Sequence, residues 1–502
     1  MHYRLMLKGS AGRRYVGALL VALALPVALT ACIGKAAPPT PQPVPTDGRP
    51  NIVFVLTDDL SMNLLPYMPH VQALEQQGTT FNNYYVVDSL CCPSRAAIFT
   101  GLYPHNDGVF SNHGPDGGYA AYNLNHTPEK SFGVALKNAG YYTGFMGKYL
   151  NEYQPTDPPA QGWDEWDVAG NGYNEYNYQL NENGDIQTYG HSPSDYLTGV
   201  LAGKAVNFVR RAQYTGKPFA LEVATFAPHK PATPAPVDAQ SFPDLVAPEP
   251  PSFGIKPTGA PAWIANVPSL DPTDIANINA DYQLRVESVL AVDRMIGQLE
   301  RALAATNQLS NTYIVFSSDN GFHMGEHDLL PGKQTAFTTD IKVPLVVAGP
   351  GVPAGHTVEA MTSSIDLAPT FLAVAHAEPT DEQDGVSLLG LWHGARAPSD
   401  WQRAVLIEHH GPVDGSVDPD VQPFRSGNPP SYEAMRTDQE LYVEYDTGER
   451  EYYDLKTDPY ELHNIYNSLP VRQQIALHQN LGSLSTCRGA TECQQASVPA
   501  GV

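Results

Sequence analysis

Two short polar strings stand where apolar runs stop. Asp58-Asp59 follows Asn51-Ile52-Val53-Phe54-Val55-Leu56-Thr57, and Asp319-Asn320 follows Thr312-Tyr313-Ile314-Val315-Phe316-Ser317-Ser318. Three carboxylates and an amide held together would repel unless a cation sat among them. Oxygen donors of loose geometry favour Ca²⁺ first and Mg²⁺ second. No Cys/His pairs stand at zinc spacing, which disfavours zinc. Taken singly, an Asp-Asp or Asp-Asn is an ordinary strand-end turn or helix cap. Lys148 after an apolar run, His229 between prolines and Lys333 beside a glycine are likewise ordinary one by one. Their combination is what points to a site. Cys91 and Cys92 are adjacent. Neighbouring cysteines rarely bridge each other, so this pair needs its own explanation.

These residues need elements that bring them together. The run from Asn51 is continuously apolar, as expected of a strand buried on both faces of a parallel sheet. Phe132 to Asn138 reads as a helix closed by Gly140, followed by a strand Tyr142 to Met146 that ends at Gly147-Lys148. Pro218 to Thr225 is a further strand, running into Pro228-His229-Lys230-Pro231. Residues 228–273 are proline-rich and read as a long ordered excursion, a length of loop that is often functional. Tyr282 to Leu303 is a helix with Val286, Val289, Ile296, Leu299 and Leu303 on one face. Strands follow at Thr312 to Phe316 and Val343 to Val347. The alternation of β and α, with polar residues gathered at strand ends, predicts an α/β fold. Its ligand edge is where Asp58, Asp59, Lys148, His229, Asp319 and Asn320 would converge. From about His376 the pattern changes to short strands, Arg403 to Glu408, Glu440 to Tyr445 and Glu451 to Leu455. This predicts a smaller, mostly antiparallel C-terminal subdomain.

The 502 residues are 42% hydrophobic, enough for a core, and carry a formal charge of −24. That acidity argues against nucleic acid or an anionic membrane surface as the main partner, but not against a small anion met by a few local cations. The chain opens with Arg4, Lys8, Arg13 and Arg14 and an apolar run, Val16 to Leu29. This reads as a signal peptide rather than a comfortable membrane span. Leu29-Thr30-Ala31-Cys32 resembles a bacterial lipobox, which implies lipidation of Cys32 and an exported lipoprotein of the bacterial cell envelope, partly secreted. Arg13-Arg14 is a partial twin-arginine signal, weakened by Gly17. The expected organisation is a signal peptide (1–31), a lipid-anchored proline-rich tether (32–48), a catalytic domain (49–375), a C-terminal subdomain (376–485) and a tail (486–502). In that tail Cys487 and Cys493 would close a small disulfide loop in an oxidising compartment.

The stretch Leu90-Cys91-Cys92-Pro93-Ser94-Arg95-Ala96-Ala97-Ile98-Phe99-Thr100-Gly101 resembles the signature of the sulfatase family, in which the first cysteine becomes formylglycine. Two buried cysteines before a helix started by Pro93 would explain burial, but not Ser94, Arg95 and Thr100-Gly101 together. The resemblance continues in family order through Gly101-Leu102-Tyr103-Pro104-His105-Asn106, Gly147-Lys148-Tyr149-Leu150-Asn151-Glu152-Tyr153, Ala227-Pro228-His229, Ser318-Asp319-Asn320-Gly321, Gly332-Lys333 and Asp366-Leu367-Ala368-Pro369-Thr370. It reaches Tyr453 to Asn464 and covers most of residues 49–466. The paired cysteines and the Gly-Lys-Tyr-Leu-Asn-Glu-Tyr string look most like N-acetylglucosamine-6-sulfatases.

The resemblance implies an alkaline-phosphatase-like fold, a large mixed sheet flanked by helices. It implies that formylglycine derived from Cys91, made by a formylglycine-generating enzyme, joins Asp58, Asp59, Asp319 and Asn320 around Ca²⁺. Arg95 would orient the hydrated nucleophile. Lys148, His229 and Lys333 would neutralise sulfate oxygens, with His229 or Lys333 protonating the leaving alcohol. His105 is expected to make a structural hydrogen bond beneath the site, and Cys92 to pack as a small apolar side chain. Two departures stand out. Leu150 sits where many relatives have a histidine, and Phe337-Thr338 replaces an aromatic-glutamate pair. The rival readings are an arylsulfatase or a phosphonate or phosphate monoesterase of the same fold. A lipoprotein that binds sulfated glycans through an unconverted Cys91 is the non-enzymatic one.

Overall fold

The computed structural model describes residues 48–125, 127–412 and 424–498. The expected signal peptide, Cys32 and all of the tether except Gly48 lie outside the described residues. Strands in chain order are β1 (Asn51–Thr57), β2 (Thr79–Phe81), β3 (Tyr84–Tyr85), β4 (Tyr142–Lys148), β5 (Glu165–Ala169), β6 (Gln179–Glu182), β7 (Asp185–Thr188) and β8 (Phe219–Ala224). They continue with β9 (Thr312–Ser318), β10 (Leu345–Ala348), β11 (His356–Val358), β12 (Thr362–Ser363), β13 (Ala404–His409), β14 (Tyr432–Thr437), β15 (Glu440–Tyr445) and β16 (Arg450–Asp454).

Ten strands form one mixed sheet in the order β11-β2-β10-β9-β1-β8-β4-β5-β6-β7. Its middle, β9-β1-β8-β4-β5, is parallel, while β10, β6 and β7 join antiparallel. All seven residues of β1 are buried. They alternate between two apolar layers, Ile52, Phe54 and Leu56 in one and Val53 and Val55 in the other. Each such side chain contributes roughly 1.5–3 kcal/mol by leaving water. That two-sided burial is why the run reads as continuously hydrophobic. One layer holds the helix Cys91–Thr100; the other holds the helices Leu197–Ala212 and Pro272–Ala305.

The helix expected over Tyr282 to Leu303 begins ten residues earlier, at Pro272. Asp271 caps it, accepting from the N–H groups of Thr273 and Asp274, and the Asp274 side chain accepts in return from the Asp271 N–H. This capping box stands in the sequence as Asp271-Pro272-Thr273-Asp274. The 228–273 excursion contains one short helix, Ala262–Ala265. The excursion is pinned beyond its midpoint by pairing of Phe253 with Glu326 and of Thr258 with His463. Strands β13 to β16 form the antiparallel C-terminal sheet; Tyr432–Thr437 had not been anticipated as a strand. The sheet shares the core layer of the helix Cys91–Thr100 and docks through Glu408 N–H to Val87 O (2.8 Å) and Arg436 to the Tyr85 hydroxyl (3.0 Å).

Candidate active site at the carboxyl edge of the sheet

Strand register alone gathers most of the site. Thr57 pairs with Ser318, Leu56 with Ala224, and Gly147 also with Ala224. The chain therefore reaches the end of β1, β9, β8 and β4 at one level, where Asp58, Asp319 and Thr225 follow the first three and Lys148 is the last residue of β4. Gly147 has φ 107°, and a Cβ there would lie 1.8 Å from the Ala224 carbonyl oxygen, so only glycine fits before the lysine. Asp59 adopts φ 63°, a left-handed conformation that costs about 1 kcal/mol or more and is held by its surroundings. Its N–H donates to Asp319 Oδ1 (3.1 Å), and buried Arg285 donates to its carbonyl oxygen.

The helix Cys91–Thr100 points its first residue into this cluster. All ten of its residues are buried, and Gly101 closes it in the left-handed conformation at φ 73°. Pro93 costs nothing in the first turn, where N–H groups have no intrahelical partner. The Cys92 N–H is instead taken by Asn112 Oδ1 at 2.9 Å, and Cys92 itself packs in the apolar layer. Neither cysteine is in a disulfide.

Cys91 Sγ lies 3.1 Å from Asp58 Oδ1, 3.9 Å from Asp59 Oδ1 and 2.8 Å from Lys333 Nζ. Lys333 also donates to Asp59 Oδ1 (2.7 Å), and Lys148 to Asp58 Oδ2 (2.6 Å). His229 Nε2 lies 3.6 Å from Asp59 Oδ2, its Nδ1 being 2.7 Å from the Lys230 carbonyl oxygen. Arg95 Nε donates to Asp319 Oδ2 (2.8 Å) and Nη1 to the Lys148 carbonyl oxygen (2.9 Å). Asn320 donates to Asp59 Oδ1 (2.7 Å), while its own Oδ1 is buried without a hydrogen-bond partner. Ligand atoms of Asp58, Asp59, Cys91 and His229 lie within 4.8 Å of one another, a group able to hold a metal ion.

The electrostatics follow from that packing. Burial alone would raise Asp58, but Lys148, His229, Arg95 and Lys333 outweigh it and hold the carboxyl below its ordinary range. Asp319 goes the other way: burial and the neighbouring Asp58 push it up to about 6, against Arg95 and Lys148. A neutral amide oxygen and buried carboxylates of this kind are the donors a hard divalent cation takes.

Several surroundings were not anticipated. Arg285 stands in the apolar stripe of its helix between Tyr282 and Val289, and its Nη1 holds the Pro228 carbonyl oxygen (3.2 Å) beside His229. The misplaced charge in that stripe was a readable signal. Tyr173 covers the cations, its ring 5.0 Å from Lys148 Nζ and 4.5 Å from the His229 ring. His105 makes the structural hydrogen bonds expected of it, to Glu408 (2.9 Å) and to the Cys487 carbonyl oxygen (2.8 Å), and they tie the disulfide Cys487–Cys493 to the core. Leu150 is buried in the apolar layer. At Thr338 a carboxylate does arrive, from Glu461, which accepts from its N–H (3.1 Å) and hydroxyl (2.5 Å).

Residues 50–377 match the sulfatase family model, and residues 325–486 match the model for the C-terminal part of N-sulphoglucosamine sulphohydrolase. The N-acetylglucosamine-6-sulfatases of Capra hircus and Homo sapiens are each 33% identical over 476 residues, spanning 88% of this chain and 84% and 86% of theirs. Among solved structures, a protein in complex with its substrate D-glucosamine-2-N,6-O-disulfate superposes with TM-score 0.75 at 24% identity, covering 90% of this chain and 99% of that one. The phosphonate monoester hydrolase of Agrobacterium radiobacter follows at TM-score 0.67 and 22% identity, covering 87% and 95%. The fold is thus the alkaline-phosphatase-like one expected from the sequence. On the strength of relatives that match it along 88% of its length, the chain belongs to the sulfatase family and is a sulfuric ester hydrolase.

Proposed function

We propose that the protein removes sulfate from sulfated sugars, N-acetylglucosamine 6-sulfate units in particular, with formylglycine made from Cys91 as nucleophile. The observation that carries this reading is the seat of Cys91: the first residue of a buried helix, within 3.1 Å of a carboxylate kept ionised and 2.8 Å of a lysine. The sugar preference is drawn from the names of the relatives. A thiol is a poor nucleophile here, because its sulfated product would be stable. An aldehyde hydrate at the same position offers two hydroxyls on one carbon. Asp58 takes a proton from one hydroxyl as that oxygen attacks sulfur and the bond from sulfur to the sugar oxygen breaks; the second hydroxyl then loses its proton to water, the bond from carbon to the sulfated oxygen breaks, and sulfate leaves with the aldehyde restored. Lys148 and Lys333 meet the sulfate oxygens, Arg95 orients the hydrate, and His229 protonates the leaving alcohol. Asp58, Asp59, Asp319, Asn320 and residue 91 are the ligands for Ca²⁺, with Mg²⁺ second, and the orphaned Asn320 Oδ1 fits that assignment. When bound, the ion supplies positive charge against the sulfate and the ionised nucleophile.

We assign 49–375 as the catalytic domain, 376–485 as its C-terminal subdomain and 486–502 as the tail. Lipid on Cys32 then anchors the enzyme to the bacterial envelope through the 32–48 tether. The test of function compares turnover of N-acetylglucosamine 6-sulfate with the same sugar as its 6-phosphate, before and after chelation and with Ca²⁺ restored. Faster phosphate than sulfate hydrolysis, or full activity after exhaustive chelation, would contradict the proposal.

A further inference from the structure

We propose that a groove beside the catalytic cluster is a subsite for an uncharged sugar residue adjoining the sulfated one, so that the substrate is taken as part of a longer glycan. This rests on the sulfated-sugar reading above and extends it to the substrate's neighbouring unit. The groove encloses about 380 Å³, and its lining includes Gln154, Asn171, Asn177, Gln179, Thr188 and Tyr189, over Tyr178.

Its place follows from strand register. Lys148 pairs with Ala169, Ala169 with Leu180, and Gln179 with Thr188. Gln179 and Thr188 therefore emerge at the same edge as Lys148, two and three strands along, roughly 10 and 14 Å away at the usual strand spacing. A sugar linked to the one being desulfated can cross that distance. One short segment joins the two places. It leaves β5 at Ala169, gives Asn171 to the groove, lays Tyr173 over Lys148 and His229, and returns as Asn177, Tyr178 and Gln179 to the groove.

The chemistry of the lining selects the ligand. In a chain of charge −24, beside a cluster dense with charged groups, this groove is lined by no Lys, Arg, Asp or Glu. It offers nothing to pair with a second sulfate or a uronate. Four carboxamides line it; Gln154, Asn177 and Gln179 each donate one N–H, to Glu152, His191 and Thr188 in turn, which fixes their planes and leaves a second N–H and the amide oxygen for hydroxyl and N-acetyl groups. Buried Tyr178 stacks beneath Tyr189 at 5.0 Å and 10°, which backs the half-buried Tyr189 ring as a flat surface for the C–H face of a pyranose. Both rings are fixed through their hydroxyls, Tyr178 to the Asp195 carbonyl oxygen (2.9 Å) and Tyr189 to Glu182 Oε1 (2.8 Å). The platform is therefore preorganised, which reduces the ordering cost of binding.

The experiment titrates unsulfated tri-N-acetylchitotriose into the full chain and into Asn171→Ala/Gln179→Ala, following binding by calorimetry. Both residues are exposed, so the variant should melt with the parent; Thr188→Trp, which fills the groove, is the second variant. The proposal expects a roughly 10-fold loss of affinity in each, the effect of one or two hydrogen bonds. It also expects kcat/KM on a 6-sulfated oligosaccharide, relative to an aryl sulfate, to fall by a similar factor through KM. No binding by the parent, or equal binding by all three proteins, would overturn it. So would lost binding with an unchanged substrate ratio, which would put the groove off the substrate's path. The titration needs no turnover, so it decides the groove even if no sulfate ester is hydrolysed, the result that would instead defeat the functional reading.

Discussion

Lys333 and His229 both reach the Asp59 carboxylate, and the roles proposed for them differ. Lys333 spans Asp59 and Cys91 and is wholly buried. His229 sits 3.6 Å from Asp59 under the ring of Tyr173. Only a proton donor should matter more for a poor leaving group. An aryl sulfate leaves as a stabilised phenolate, whereas a sugar alkoxide needs its proton. His229→Ala should therefore lose ~10²–10⁴-fold on a sugar sulfate and much less on an activated aryl sulfate. Lys333→Ala should slow both substrates alike, as loss of a sulfate contact does. Parallel losses on the two substrates for both variants would place the acid elsewhere. Asp58→Ala should reproduce the effect of chelation, because the proposed mechanism has its carboxylate serve both cation and nucleophile; substantial turnover in that variant would remove it from the mechanism.

The central strands carry an unusual load at the next scale up. Glu222 lies in the middle of β8, fully buried, with neither carboxylate oxygen hydrogen-bonded. Burial pushes it up to about 8 from its ordinary 4.5, only partly opposed by Arg95. A carboxyl raised in the folded state contributes stability that is complete below pH 4.5 and is lost as pH rises through about 8. Glu175, Glu451 and Glu461, each raised to about 7 by burial, act in the same direction. Glu222→Gln should therefore raise the melting temperature at pH 8, by roughly 1 °C for each kcal/mol recovered in a chain of this size, and flatten its decline from pH 5 to 8. An unchanged slope in thermal melts over that range would show that Glu222 does not carry it. The parallel strands were legible because burial on both faces writes an unbroken apolar run, as in β1. Their level at the sheet edge, and so the meeting of Asp58 with Asp319, was legible from where those runs stop. The strand Tyr432–Thr437 was not, because Glu433 and Arg436 interrupt its pattern and its stability comes from neighbours on both sides. Nor was the Glu461 contact with Thr338, since nothing local links residues 123 positions apart.

Across the whole molecule, the chemistry is enclosed by parts that arrive late in the chain. Gln334 accepts from the Tyr432 hydroxyl at 3.0 Å, and the Cys487 carbonyl oxygen accepts from Asn106 at 2.9 Å, so the C-terminal sheet and the disulfide loop brace the segments that carry Lys333 and follow the nucleophile helix. The anchor proposed at Cys32 is separated from this body by a proline-rich tether. Cys32→Ala should thus release the protein from the membrane fraction with turnover unaltered, and continued retention in that fraction would point to another anchor. The central claim, however, concerns one side chain. Peptide mass spectrometry of residue 91, in preparations made with and without a formylglycine-generating enzyme, measures it directly when paired with turnover on a sulfate ester. An aldehyde at 91 and not at 92, with activity rising in proportion to the converted fraction, is the predicted result. Full activity from protein whose residue 91 is entirely an unmodified thiol would contradict it.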